Sequence, residues 1–120
     1  LHSMVQTLKI APQGPNEEKG YQVIKFSGDF DKAGHMDIRE QLDALVKEFK
    51  LTDLVFDFTG LKFINSESIG YLMEIHNILS KKKKNLALVK PDAHVKEVLK
   101  TIGISEVIPM HSTLDAYLKK

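Results

Sequence analysis

The sequence predicts one α/β domain, in which an N-terminal β-hairpin is followed by alternating strands and helices in a mixed, mostly parallel sheet. Three observations support this prediction. The chain has 120 residues, the usual size of a single domain. Two segments near the N-terminus alternate apolar and polar residues, as paired strands do. Strand-like and helix-like segments then alternate with short links, which calls for right-handed crossovers between parallel strands.

The predicted hairpin joins "VQTLKIAP" (5–12) to "YQVIKFSG" (21–28). Both segments alternate apolar with polar residues, as expected for strands with one buried face. The connection "QGPNEEKG" (13–20) is rich in turn-forming residues. We therefore expect two half-buried antiparallel strands.

The period changes in the middle of the chain. "MDIREQLDALVKEF" (36–49) predicts a helix, because its apolar residues fall on one stripe: Ile38, Leu42, Leu45, Val46 and Phe49. "DLVFDF" (53–58) is a nearly continuous apolar run, typical of a buried parallel strand. A second helix is predicted from Ser66 to about Leu79, on the stripe Ile69, Leu72, Met73, Ile75 and Leu79.

Another strand and helix follow in the C-terminal third. "NLALV" (85–89) predicts a buried strand, and "DAHVKEVLKTIGI" (92–104) predicts a helix. Asp92 is expected to be the N-cap of that helix, and Gly103 is expected to end it.

The chain is predicted to end with one more strand and one more helix. "VIPM" (107–110) is expected to be a short edge strand, because its proline has no backbone N–H to donate to a neighbouring strand. "STLDAYLKK" (112–120) is expected to form a closing helix capped by Ser112.

Composition excludes several classes of protein. The chain has no cysteine, so it has no disulfide, thiolate zinc site or cysteine nucleophile. No apolar stretch approaches 18 residues, and "LHSMVQTLKI" lacks the core and the cleavage site of a signal peptide. We expect a cytoplasmic protein with no membrane insertion. Residues 1–4 are interpreted as an expression remnant and start methionine, and residues 5–120 as the domain.

Charge is unevenly distributed along the chain. The net charge is +1, but residues 1–60 carry −3 and residues 61–120 carry +4. Much of the difference comes from the run Lys81 to Lys84, which is short for a nucleic-acid patch and has no aromatic residues interleaved with it. We interpret it as the solvent-exposed C-terminal end of a helix, where positive charge complements the helix dipole. We expect no direct binding of nucleic acid.

The segment "FINSESIG" (63–70) allows more than one interpretation. Asn65 or Ser66 could simply cap the following helix, and Glu67 would favour its first turn for the same electrostatic reason. That interpretation leaves the neighbouring acids unexplained.

A nucleophilic enzyme is a second interpretation. "SESIG" (66–70) is one glycine short of the G-x-S-x-G elbow, and it lies at a predicted strand-to-helix turn. The nominal partners lie downstream: Asp92, His94, His111 and Asp115. The chain is too short for the sheet of that hydrolase fold.

A phospho-aspartate receiver-like domain is a third interpretation, with Asp57 presented at the end of a central strand. Such a site needs a pair of acids after the first strand to hold magnesium. Asp29 and Asp31 instead follow the second strand, and no lysine ends "VIPM".

The fourth interpretation rests on a resemblance. "DFTGLKFINSESIGYLMEI" (57–75) resembles the signature of STAS-domain anti-sigma-factor antagonists, in which an apolar strand end precedes Asp-Ser-Ser-Gly-Leu-Gly and a helix. Asn65 takes the aspartate position, and Ser66 falls on the serine that is phosphorylated in the family. Ile69 and Gly70 fit the following Leu-Gly.

Two other segments carry the same resemblance, which extends over residues 5–118. "FSGDFD" resembles the family's Gly-x-Leu-Asp element, with Gly28 and Asp31 in its glycine and acidic positions. "VKEVLKTIGISEVIPMHSTLDAYL" (95–118) resembles the family's last helix, short strand and closing helix.

The chain departs from the family motif at three positions. Asn65 replaces an aspartate, Glu67 replaces a serine or threonine, and Ser68 replaces a glycine. One carboxylate beside the acceptor is lost and another is gained on its other side, so the local charge is similar but displaced.

The resemblance implies a switch without enzymatic activity and without a cofactor. The unphosphorylated domain would bind an anti-sigma-factor serine kinase, phosphorylation of Ser66 would release it, and a metal-dependent serine phosphatase would reset the system. The expected partner contacts are Asp31, Asn65, Glu67, Ser68 and Tyr71. An alternative within the same fold is a non-switching accessory subunit of a lipid-transport ATPase.

Two of these residues carry structural expectations as well. Asp31 is expected to be an exposed carboxylate that adds little to the stability of the fold. Tyr71 is expected to lie off the apolar stripe of its helix and to offer an aromatic ring to a partner.

Overall fold

The computed structural model describes residues 6–119 of the chain. The described part contains nine strands and α-helices, in the order β1 (Leu8–Pro12), β2 (Tyr21–Phe30), α1 (Lys32–Glu48), β3 (Asp53–Ile64), α2 (Ser66–Lys81), β4 (Asn85–Val89), α3 (Ala93–Ile102), β5 (Met110–His111) and α4 (Leu114–Leu118). A short 3-10 turn, Ile104–Glu106, precedes β5. The predicted start of the domain at residue 5 and the interpretation of residues 1–4 lie outside the described residues.

The strands form one mixed sheet in the order β1-β2-β3-β4-β5. β1 runs antiparallel to β2, and the pairs β2–β3, β3–β4 and β4–β5 are all parallel. The predicted fold class, with its hairpin and mostly parallel sheet, is therefore confirmed.

The two faces of the sheet are covered unequally. Helices α1, α2 and α3 share one large apolar core with the sheet, in which the ring of Phe26 lies 4.7 Å from that of Phe56 and 5.2 Å from that of Phe58. On the other face, α4 packs a fully buried Tyr117 against Val55, Ala87 and Val89. None of the described helices is long and apolar enough to cross a membrane.

Two central elements are longer than predicted. α1 begins at Lys32, four residues before the predicted start at Met36. Its first turn is polar or small, so apolar periodicity could not reveal it. β3 continues past the predicted end at Phe58 to Ile64, because the register with β2 extends to the pair of Phe30 and Ile64.

The C-terminal elements differ in detail from the prediction. Asp92 caps α3 through Val95 N at 2.8 Å, and Gly103 ends that helix in the left-handed region at φ 88°, both as predicted. The last strand is Met110–His111 rather than 107–110. Thr113, not Ser112, caps α4, since its Oγ1 accepts a hydrogen bond from Ala116 N at 3.0 Å.

The lysine run caps a helix other than the one it follows. Lys82 Nζ donates to the carbonyl oxygens of Val46 and Lys47, both at 3.0 Å, and Lys84 Nζ donates to that of Lys50 at 2.9 Å. These carbonyls lie at or just beyond the C-terminus of α1, where positive charge is favourable. The interpretation as dipole complementation therefore holds for α1, and also for α2, whose last turn contains Lys81.

Candidate functional site

Two helices begin side by side at one edge of the sheet. Phe30 and Ile64 are register partners at the ends of β2 and β3, and Asn65 N donates to Phe30 O at 3.2 Å. The residues that follow these strand ends, Asp31 and Asn65, are the N-caps of α1 and α2. Each helix N-terminus carries a partial positive charge, so two such charges lie together at this edge of the sheet.

The two caps use the same hydrogen bond. Asp31 Oδ1 accepts from Gly34 N at 2.8 Å, and Asn65 Oδ1 accepts from Ser68 N at 2.8 Å. A cap of this kind stabilises a helix by about 1 kcal/mol. The expectation that Asp31 adds little to stability is therefore wrong, because its half-buried carboxylate holds the first turn of α1.

Ser66 is the first residue of α2 and is exposed. Its hydroxyl makes no hydrogen bond within the described chain, and the cap is supplied by Asn65, so the hydroxyl is available to solvent. Glu67 is also exposed and is the acidic residue of the first turn. The motif thus places a reachable hydroxyl where a helix N-terminus can receive an anion.

Ser68 does not lie on this surface. Ser68 is fully buried, and its Oγ has no hydrogen-bond partner among residues 6–119. The prediction that Ser68 contacts a partner is wrong for this reason. The third residue of α2 faces the core, on the same side as Leu72 and Ile75.

Tyr71 is also buried, with 3% of its surface exposed, so its predicted role as an exposed contact is wrong. Its hydroxyl donates to Asp43 Oδ1 at 2.5 Å, and its ring lies 4.3 Å from that of His35. The guanidinium of Arg39 lies 5.0 Å from the centre of the ring. Tyr71 therefore joins α2 to α1, and burial together with the bond to Asp43 raises the pKa of Tyr71.

A groove between α1 and α2 leads away from the two helix N-termini. It consists of two shallow cavities of about 350 and 420 Å³ that share Arg39, Tyr71 and Glu74. Met36 borders the end nearer to Ser66 and is 75% exposed. Burial and the neighbouring Arg39 lower the pKa of His35, so this end of the groove favours a neutral imidazole. The accessible surface beside Ser66 is therefore formed by the first turns of both helices.

The family assignment rests on most of the chain. The sequence profile of the STAS domain matches residues 15–117, which is most of the sequence. The chain belongs to the STAS domain family. A search of curated proteins finds no match.

Solved structures agree with this assignment. The STAS domain resembles an anti-sigma factor antagonist from Mycobacterium paratuberculosis with a TM-score of 0.81 and 19% identity, over 98% of this chain and 97% of that one. It resembles the anti-sigma factor antagonist SpoIIAA in its unphosphorylated form with a TM-score of 0.74 and 18% identity, over 92% and 94% of the two chains. For the phosphorylated form of SpoIIAA, the Bacillus cell fate determinant, the TM-score is 0.67 at 18% identity, over 92% and 97%. At such identities the likeness shows the fold.

The receiver-like interpretation is wrong for this STAS domain. Asp57 lies inside β3 rather than at its end and is only 5% exposed. Its Oδ1 accepts hydrogen bonds from Thr59 N at 2.9 Å and Thr59 Oγ1 at 2.7 Å. The carboxylate is therefore engaged within the sheet and is not presented at its carboxyl edge. Asp92, a nominal partner for a serine nucleophile, is used as the cap of α3.

Proposed function

We propose that this STAS domain is an anti-sigma-factor antagonist that is switched by phosphorylation of Ser66. The observation that carries the proposal is the exposed hydroxyl at the first residue of α2, at the position of the family's phosphorylated serine. The unphosphorylated domain binds an anti-sigma-factor serine kinase, and a metal-dependent serine phosphatase restores that state. The existence of a phosphorylated form of SpoIIAA, whose fold this chain shares, supports the proposal.

The surrounding hydroxyls leave Ser66 as the best acceptor in this region. Ser68 Oγ is buried, and Thr59 Oγ1 donates to Asp57 at 2.7 Å. In the transfer, Ser66 Oγ attacks the γ-phosphorus of ATP held by the kinase. The bond to ADP breaks, and a base of the kinase takes the hydroxyl proton. The domain supplies an exposed hydroxyl on a rigid turn, while the kinase supplies nucleotide, magnesium and the base.

The residues around Ser66 are suited to detect the added charge. Phosphoserine carries about −1.5 to −2 charges near neutral pH. Glu67 follows Ser66 directly, and Asp31 caps the neighbouring helix, so the phosphate joins a surface that already holds carboxylates. A partner that packs on this surface would have to desolvate the dianion, which is costly without a cationic group.

Replacing Ser66 with alanine is expected to abolish labelling by the cognate kinase with radioactive ATP. Thr59→Ala and Ser68→Ala are expected to remain substrates, because the Thr59 hydroxyl is hydrogen-bonded to Asp57 and the Ser68 hydroxyl is buried. The alanine keeps the Asn65 cap, so the melting temperature serves as a check that the fold is intact. Labelling that persists in Ser66→Ala would refute this assignment.

Asparagine and alanine at position 31 are expected to separate the charge of Asp31 from its cap. Asparagine caps helices as well as aspartate does, so Asp31→Asn should keep its stability within about 0.5 kcal/mol, whereas Asp31→Ala should lose about 1 kcal/mol. If the carboxylate contacts the kinase, both variants should bind it about threefold to tenfold more weakly. Calorimetric titration and thermal unfolding of both variants test this, and normal binding by Asp31→Asn would limit Asp31 to its structural role.

Alanine at Gly70 is expected to stabilise the domain while weakening its binding to the kinase. A Cβ at Gly70 would meet no atom within 4 Å, so nothing in the fold requires glycine inside α2. Alanine should raise the free energy of unfolding by roughly 0.5 to 1 kcal/mol. Gly70 borders the groove beside Ser66, where an added methyl group would separate the two surfaces. A variant that binds the kinase normally would place the contact elsewhere.

A further inference from the structure

The second face of the sheet carries basic side chains away from α4. In β2, Ile24 and Phe26 belong to the core beneath the helices, so Lys25 between them projects from the opposite face. The same alternation puts Lys9 of β1 and Asp57 of β3 on that face. The sheet thus brings residues from three neighbouring strands to one surface.

These side chains line a cavity of about 610 Å³, called here the basic cavity. Its polar and charged lining is contributed by Lys9, Lys25, Ser27, Asp57, Thr59 and Lys90. Helix α4 packs on β4 and β5 and leaves the cavity open. Among the described residues that line it, Asp57 is the single acid, against three lysines, so the basic cavity carries a net positive charge.

Two of the lysines are close enough to act on one ligand. Lys9 pairs with Ser27 and Ala11 pairs with Lys25, which makes Lys9 and Lys25 diagonal neighbours on antiparallel strands. Such positions are about 7 to 8 Å apart, within the joint reach of two long side chains. Within residues 6–119, no carboxylate lies within ion-pair distance of either lysine. Their mutual repulsion makes an anion between them favourable.

The buried aspartate supports the third lysine. Asp57 Oδ1 is occupied by two hydrogen bonds from Thr59, and Asp57 Oδ2 lies 3.8 Å from Lys90 Nζ. Asp57 and Lys90 are therefore paired with each other, and 46% of the Lys90 side chain stays exposed. These contacts explain how a carboxylate can be buried on an open face of the sheet.

We propose that the basic cavity binds a soluble small molecule that carries a phosphate or diphosphate group. Lys9 and Lys25 pair with its negative charges, and Ser27, Thr59 and the ion-paired Lys90 line the same cavity. The site lies on the opposite face of the sheet from α1 and α2, and the proposal does not depend on phosphorylation of Ser66.

A soluble ligand fits this surface better than the head group of a lipid in a membrane. Binding to a bilayer usually combines basic residues with exposed apolar side chains that enter the interface. The large apolar side chains that are exposed in the described chain are Met36, Phe63, Ile78, Ile102 and Val107. None of them lines the basic cavity.

Titration with pyrophosphate tests the proposal, using calorimetry together with amide chemical shifts of the full chain. At about 0.1 M salt, pyrophosphate is expected to bind with a Kd below about 1 mM and to shift the amides of Ser27 and Thr59. Lys9→Gln and Lys25→Gln should each weaken binding by about tenfold, since each removes one unpaired cation.

Lys100→Gln on α3 is the matched control, because it makes the same change of charge on a helix that packs on the other face. It should leave the affinity for pyrophosphate unchanged. No binding up to about 10 mM pyrophosphate would overturn the proposal, and so would equal losses in Lys25→Gln and Lys100→Gln. Binding to vesicles that contain phosphatidic acid, without binding to pyrophosphate, would also overturn it and would point to a membrane ligand.

Discussion

Replacing Gly28 with alanine is expected to destabilise the domain by about 3 kcal/mol or more, combining an unfavourable backbone conformation with a steric clash. Gly28 has φ of 114°, which side chains of L-residues rarely adopt. A Cβ there would lie 2.1 Å from the carbonyl oxygen of Thr7. That oxygen is fixed by a hydrogen bond from Asp29 N at 2.9 Å, so it cannot move away without breaking the start of the hairpin.

Thermal and denaturant unfolding of Gly28→Ala would measure this loss, which corresponds to a fall in melting temperature of about 10 °C or more. Gly14→Ala is the matched control, because a Cβ at Gly14 meets nothing within 4 Å. It should change stability by less than about 0.5 kcal/mol. A Gly28→Ala protein that melts within a few degrees of the parent would show that β1 can shift away from β2 at little cost.

The result would give "FSGDFD" a structural explanation. Gly28 lets β1 approach the end of β2, and Gly34, in the first turn of α1, allows a similar close approach. A Cβ at Gly34 would lie 2.1 Å from the carbonyl oxygen of Asp29. Both glycines therefore set the position of Asp31, which lies between them and caps α1. The motif builds the edge of the sheet on which Ser66 is presented.

The elements that apolar periodicity defines were predictable from the sequence. The hairpin, β4 and α3 bury regular apolar positions, and the caps at Asp92 and Gly103 follow from local chemistry. The first turn of α1 was missed because it buries only Gly34, which carries no apolar signal. The end of β3 was missed because its last residues are fixed by pairing with β2, a long-range register that periodicity does not contain.

The candidate site was predicted in part for a similar reason. The motif located Ser66 at the start of a helix and left the cap open between Asn65 and Ser66, and the structure assigns the cap to Asn65. Tyr71 and Ser68 were placed wrongly because α2 packs against both the sheet and α1, which widens its buried stripe. The bond from Tyr71 to Asp43 joins residues 28 positions apart, so no local pattern in the sequence could have indicated it.

Phosphorylation of Ser66 is expected to leave the fold intact and to weaken kinase binding by at least about tenfold, which is about 1.4 kcal/mol. Within the free domain, the dianion lies at the N-terminus of α2, where an anion is favourable by roughly 0.3 to 1 kcal/mol. Repulsion from the exposed carboxylate of Glu67 opposes this by a similar amount. The two effects nearly cancel, so the melting temperature should change by no more than a few degrees.

In the complex the same charge has a different environment. A partner that covers the first turns of α1 and α2 removes water from the phosphate, and Coulomb energies grow as water is excluded. Unless the kinase places a cation against the phosphate, the free-energy cost of desolvating the dianion exceeds the stabilisation from the helix dipole. The unphosphorylated hydroxyl carries no such cost. The proposed switch is therefore expected to act on binding rather than on folding.

Calorimetric titration of the kinase with both forms of the domain would measure the difference, and thermal unfolding of the same samples would report on the fold. Phosphatase treatment of the phosphorylated sample is the matched control and should restore the original affinity. Equal affinities would refute the switch and would favour the non-switching accessory subunit, whose partner is a transporter. A large fall in melting temperature on phosphorylation would instead mean that the phosphate disrupts the Asn65 cap, so that release of the kinase would follow from unwinding of the first turn of α2.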